Sequence, residues 1–103
     1  MKLLTDELRA QLPPLYAQEA KSEPTVYAKF FLPGSGWTWY VTEGGAEDGE
    51  FRFFGYIVGL ESEWGYFLFS ELEQVRTRLG LGVERDLDFR EGRFTNVVPA
   101  PDL

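Results

Sequence analysis

Between Trp37 and Phe69 the chain carries three short runs of aromatic and β-branched residues. They are Trp37-Thr38-Trp39-Tyr40-Val41-Thr42, then Phe51-Arg52-Phe53-Phe54-Gly55-Tyr56-Ile57-Val58, then Trp64-Gly65-Tyr66-Phe67-Leu68-Phe69. Acidic turns separate them, the glycine-bearing Gly44 to Glu50 and then Glu61-Ser62-Glu63. Such runs are what half-buried antiparallel strands require. A further alternating run, Thr25 to Leu32, precedes them and is joined by Pro33-Gly34-Ser35-Gly36, a strong hairpin turn. The sequence therefore predicts a meander onto which the remaining segments dock.

Alternation sorts the rings. Val26, Ala28, Phe30 and Leu32 fall on one face, as do Trp37, Trp39 and Val41, and Phe51, Phe53, Gly55 and Ile57. Lys29 and Arg52 belong outside the main core, and alternation sends Tyr27, Phe31, Tyr40, Phe54 and Tyr56 with them. Tyr66 joins if the last strand keeps register.

The flanks read as helices and an arm. Thr5 can cap a helix whose first residues, Asp6 and Glu7, suit its positive end. Leu4, Leu8 and Leu12 make its stripe, and Pro13-Pro14 ends it. Ser70 with Glu73 three residues on predicts the cap of a second helix. Leu72, Val75 and Leu79 form its stripe, and Gly80 stops it. Val83, Arg85, Leu87 and Phe89 alternate with Glu84, Asp86 and Asp88 as a short edge strand. The expected fold is one α+β domain over 1–103, a four- to five-stranded antiparallel meander sheet with two short helices, in the order α-β-β-β-β-α-β. The chain is expected to fray from about residue 94.

Composition narrows the chemistry. The chain has no cysteine and no histidine, which removes disulfides, thiol nucleophiles, Cys/His zinc sites and any Ser-His-Asp triad. No run of ~20 apolar residues predicts a membrane span, and the charged start implies no signal peptide, so a cytoplasmic protein is expected. The net charge of −7 is concentrated. Between Tyr40 and Val75 stand eight acids (Glu43, Glu47, Asp48, Glu50, Glu61, Glu63, Glu71, Glu73) and one base, Arg52. Such a block disfavours direct binding to nucleic-acid phosphates and favours a basic partner.

Several motifs together resemble a known family. Lys2-Leu3-Leu4-Thr5, Leu12-Pro13-Pro14-Leu15-Tyr16, Lys29-Phe30-Phe31, Trp37-Thr38-Trp39-Tyr40 with Glu43, Phe53-Phe54-Gly55, Gly65-Tyr66-Phe67, Ser70-Glu71-Leu72 and Glu84-Arg85-Asp86 are similar to domain of unknown function 2958. The resemblance runs from residue 2 to about residue 89. It implies a small bacterial protein, of a kind often found on plasmids and integrated mobile elements. It implies no catalytic residue set and no cofactor.

Four constellations bear on function. The tyrosine-bearing face, with Tyr27, Lys29, Phe31, Tyr40, Arg52, Phe54 and Tyr56, either receives a partner or is covered by a helix or the C-terminal arm. Glu84, Asp86 and Asp88 lie within ~14 Å on one face, to hold a hard cation or to make an edge repulsive. Glu47, Asp48 and Glu50, with Glu43, Glu61 and Glu63 gathered at the same end of the sheet, would make an acidic surface able to mimic a phosphate row. Gly55, Gly59 and Gly65 mark a bulge or a ring lying over the backbone. The leading expectation is a non-enzymatic module that binds another protein, basic in character. The alternatives are a DNA-mimicking inhibitor and a small carboxylate-based hydrolase.

Overall fold

Short hairpins leave each strand of such a chain its sequence neighbour as partner, and the computed structural model, which describes residues 1–99, has that topology. In chain order come α1 (Asp6–Gln11), β1 (Thr25–Val26), β2 (Ala28–Phe31), β3 (Thr38–Glu47), β4 (Glu50–Val58), β5 (Ser62–Leu68), α2 (Phe69–Gln74), β6 (Glu84–Arg85), β7 (Gly92–Arg93) and α3 (Phe94–Val97). The main sheet is antiparallel in the order β5-β4-β3-β2-β6, and β1 and β7 pair in a second, two-stranded sheet. The meander is as the sequence predicts; the run expected as one strand over Thr25 to Leu32 is divided into β1 and β2, and β7 and α3 are additions. Among the described residues no helix is long and apolar enough to cross a membrane.

The inner face of the sheet holds the main core. Phe30, Trp39, Val41, Phe53 and Phe67 meet Leu3, Leu4, Leu8 and Leu12 from the N-terminal segment, and Leu72 from α2. The Phe53 ring meets Phe30 edge-on at 5.5 Å and stacks on Phe67 at 5.4 Å. The Thr5 side chain accepts the Leu8 N–H at 3.1 Å, capping α1 as expected. The outer face is covered too, by residues 13–24 at one side and by the C-terminal segment at the other. Tyr40 is buried there with Val26 and Val98, and Tyr56, Phe89, Phe94 and Val97 pack around them.

Four local expectations need correction. The capping residue at α2 is Glu71, not Glu73: its Oε1 accepts the Leu68 N–H at 2.9 Å, while the Ser70 hydroxyl donates to Glu50. That helix ends at Gln74 and leaves Leu79 88% exposed. A tight turn wins over the helix instead. Thr77 N–H donates to Leu81 O, Gly80 N–H donates to Thr77 O, and the Arg76 guanidinium binds the freed Glu73 and Val75 carbonyls. The arm after Val83 is a strand only at Glu84–Arg85, because the Asp86 carboxylate accepts the Asp88 N–H and turns the chain. Nor does fraying begin at 94: Phe94–Val97 form a helical turn and Val98 is buried. The expectation for residues 100–103 lies outside the described residues.

Candidate functional site

A β-bulge in β3 builds the site. Register with β4 runs from Val41↔Gly55 directly to Glu43↔Phe54, so Thr42 is one residue too many. Strand parity therefore changes between Val41 and Glu43. Without the bulge Glu43 would share the inner face with Val41; with it, Glu43 lies beside Phe54 on the outer face. Gly55 makes the close approach possible, since a Cβ there would collide with the Tyr40 carbonyl.

The bulge frees backbone groups, and the 13–24 loop takes them up. Gln18 is buried, and its Nε2 donates to Thr42 O at 2.8 Å and to Thr25 O at 2.9 Å. Its Oε1 accepts the Thr25 N–H at 2.8 Å. Glu43, only 2% exposed, answers in kind: Oε1 accepts the Tyr16 N–H and Oε2 the Gln18 N–H, both at 2.8 Å. Charge-assisted bonds of this length are among the stronger ones. They hold Tyr16 at φ +75°, in the left-handed region that a bulky side chain rarely adopts.

Held there, the Tyr16 ring stands 6.2 Å from that of Tyr66. Cross-strand pairing places Tyr66 opposite Phe54 and Trp64 opposite Tyr56. Phe54 lies 4.8 Å from Tyr66 and stacks on Trp64 at 5.8 Å. Trp64 and Tyr66 remain 41% and 45% exposed. Together with Glu43 and the 18–24 loop these rings line a cleft of about 370 Å³. Glu19 and Lys21 stand among its lining residues. The Tyr66 phenol is raised above its usual value, first by partial desolvation, then by the neighbouring Tyr16 phenol and the carboxylates of Glu43, Glu19 and Glu47. The cleft is thus both aromatic and electrically negative.

Beside the cleft β5 forms an open sheet edge. The Leu68 N–H donates to Glu71, so it faces away from β4. Alternate residues of an antiparallel strand share that direction. Trp64 and Tyr66 therefore turn their backbone N–H and C=O groups to the free edge, where no backbone group among the described residues meets them.

The residues expected on the tyrosine face are dispersed. Phe54 lines the cleft. Arg52 lies next to it, 5.8 Å from the Tyr66 ring and ion-paired with Glu47 at 3.6 Å. Tyr56 is beneath Phe94, ring to ring at 4.9 Å. Tyr40 is buried against Phe89, and its phenol is raised by burial and then by Asp86. Lys29 pairs with Asp86 at 3.8 Å, and Phe31 lies near it by the β6 edge. Tyr27 is corrected outright. The chain bends between β1 and β2, so Tyr27 packs against the inner core while Val26 crosses to the outer layer. Trp37, expected inside, stands exposed at the sheet's end, stacked on Trp39 and lying over Gly59.

The acidic surface does not gather either. Glu47 and Glu50 close the β3–β4 hairpin with Asp48 in its turn, whereas Glu61 in the turn and Glu63 at the start of β5 lie at the far end of β4. Nine residues of strand separate the ends by about 26 Å. Glu43 is buried and is no surface charge. Among the described residues no three acids cluster as a metal ion would need, and Asp86 is engaged by Lys29 and Asp88. The sequence reading missed Tyr16 and Gln18 as residues of the site, and the burial of Glu43 on the outer face. The available signal was Pro13-Pro14 followed by a tyrosine, which anchors a loop rather than freeing one.

Comparison with curated proteins and with solved structures returned no match. The family model described as Protein of unknown function (DUF2958) does match, over residues 3–97, which takes in α3 as well as the stretch to about 89 that carries the motifs. With nearly its whole length covered, the chain belongs to that family.

Proposed function

We propose that this protein is a non-enzymatic accessory module that binds another protein, with the cleft and the open β5 edge as its contact surface. The observation that carries this reading is the coincidence of the two at Trp64 and Tyr66. Their rings wall the cleft, and beside it their backbones present hydrogen-bonding groups that no backbone group among the described residues meets. An extended segment of a partner can add to such an edge while a side chain enters the neighbouring cleft. The surrounding carboxylates favour a basic segment. An accessory role in the cytoplasm is part of the same reading, in the mobile-element setting that the family resemblance implies.

The hydrolase alternative has little behind it. Both oxygens of Glu43 are taken by backbone N–H groups, the arrangement of a structural clamp rather than of a proton carrier. Mimicry of a phosphate row is also weakly supported, because the acids are divided between opposite ends of the sheet. Site-specific photo-crosslinking in the native host tests the binding reading. A photoreactive phenylalanine at position 66 should give a discrete protein adduct, and one at the exposed Leu79 should not. Equal adducts from both positions, or none from 66, refute it.

A further inference from the structure

We propose that the cleft receives a methylated ammonium group, carried on a lysine side chain of the partner and held by aromatic rings above Glu43. The inference rests on reading the cleft as the partner-facing site. Glu43 is 2% exposed, yet no cation lies within ion-pair distance of it among the described residues. A carboxylate is expensive to bury without a counter-charge. Its two N–H bonds satisfy its hydrogen bonding but bring no full positive charge. The rings of Tyr16, Phe54, Trp64 and Tyr66 line the same cleft, and it is the face of such a ring that attracts a cation.

The type of cation follows from the same geometry. Glu43 has both oxygens committed, so it contributes field rather than acceptors. A guanidinium, which needs a planar fork of acceptors, is poorly served. A methylated ammonium needs none and suits aromatic walls best. The volume of about 370 Å³ accommodates a trimethylammonium head and the first carbons of its stem. Lys21, at the cleft and without an ion pair among the described residues, is the chain's own competing charge.

Choline and 3,3-dimethylbutan-1-ol, its uncharged carbon isostere, separate charge from shape. Titration of the full chain, followed by NMR shifts of the Trp64 indole and the Gln18 side-chain amide, should show choline binding at least tenfold more tightly, because ring faces attract the cation and not its uncharged isostere. Tyr66→Leu keeps an apolar wall at a half-exposed position. It should weaken choline at least fivefold and leave the alcohol unchanged, which also verifies the fold. Lys21→Ala should tighten choline. Equal binding of the two probes, or no shift with choline at about 100 mM, a concentration far above any specific affinity, overturns the cation inference. The crosslinking result at position 66 stands or falls separately. Acetyl-trimethyllysine methylamide binding at least as tightly as choline supports the lysine source; weaker binding overturns that assignment.

Discussion

Replacing Glu43 by glutamine tests the construction of the site at its centre. The carboxylate accepts two backbone N–H groups at 2.8 Å, from Tyr16 and from Gln18. An amide of the same shape offers one acceptor and one donor, so one of the two N–H groups faces another donor. An unsatisfied buried donor costs about 1–3 kcal/mol, and the surviving bond, no longer charge-assisted, loses about 1 kcal/mol more. Against this, the amide removes a buried charge and part of its desolvation cost. The net expectation is a loss of about 1–3 kcal/mol. In a domain of this size that lowers the melting temperature by roughly 5–20 °C. Calorimetry together with urea unfolding measures it. Native-state hydrogen exchange localises it: the Tyr16 and Gln18 amides should lose protection, while Val41 and Phe53 should change only as much as global stability does. A Glu43→Gln protein as stable as the parent, with those two amides still protected, would refute the claim that this carboxylate holds the 13–24 loop.

Three other perturbations have expected outcomes. Gly55→Ala puts a methyl group into the Tyr40 carbonyl and should cost about 3 kcal/mol or more in urea unfolding, whereas Gly65→Ala, whose Cβ meets only the Ile57 side chain at 3.5 Å, should be tolerated. Tyr16→Gly relieves left-handed strain of about 1–2 kcal/mol but loses the ring contact with Tyr66 and adds unfolded-state entropy, so stability should move by less than about 1 kcal/mol while choline affinity falls. Glu23 is held below the usual glutamate range by hydrogen bonds from the Thr95 N–H and hydroxyl, aided by Arg93. Its contribution is therefore full above the unfolded glutamate pKa and lost as pH falls through the lower folded value. The Trp64 ring lies 4.7 Å from that of Phe94, so its emission should report the detachment of α3 on acidification, and Glu23→Gln should abolish that dependence.

What the sequence made legible is what short-range physics decides. The meander, the inward positions of Phe30, Trp39 and Phe53, and the α1 cap follow from alternation, turn residues and helix-end chemistry. The site was illegible because it depends on one extra residue. Strict alternation assigns Glu43 to the same side as Val41, and nothing local distinguishes Thr42 as a bulge; Gly55 hints at one but does not say on which strand. The division of the acids, by contrast, was open to reasoning. Successive hairpin turns in a meander lie at opposite ends, so Glu47 and Glu61 were bound to be apart. The burial of Tyr40 and Tyr56 depends on contacts with Phe89 and Phe94, thirty or more residues away, which periodicity does not reach.

The seam between the two outer covers has a consequence for how the molecule is completed. Phe94 N–H donates to Pro24 O, and Thr95 binds Glu23, so the α3 segment is fastened to the loop that carries Tyr16. Among the described residues the inner core draws on none later than Val83. That interior can therefore close without α3, leaving a half-dressed sheet. The recess between Tyr16 and Trp64 then takes its final shape only when Phe94 and Thr95 dock and lock the strap in place.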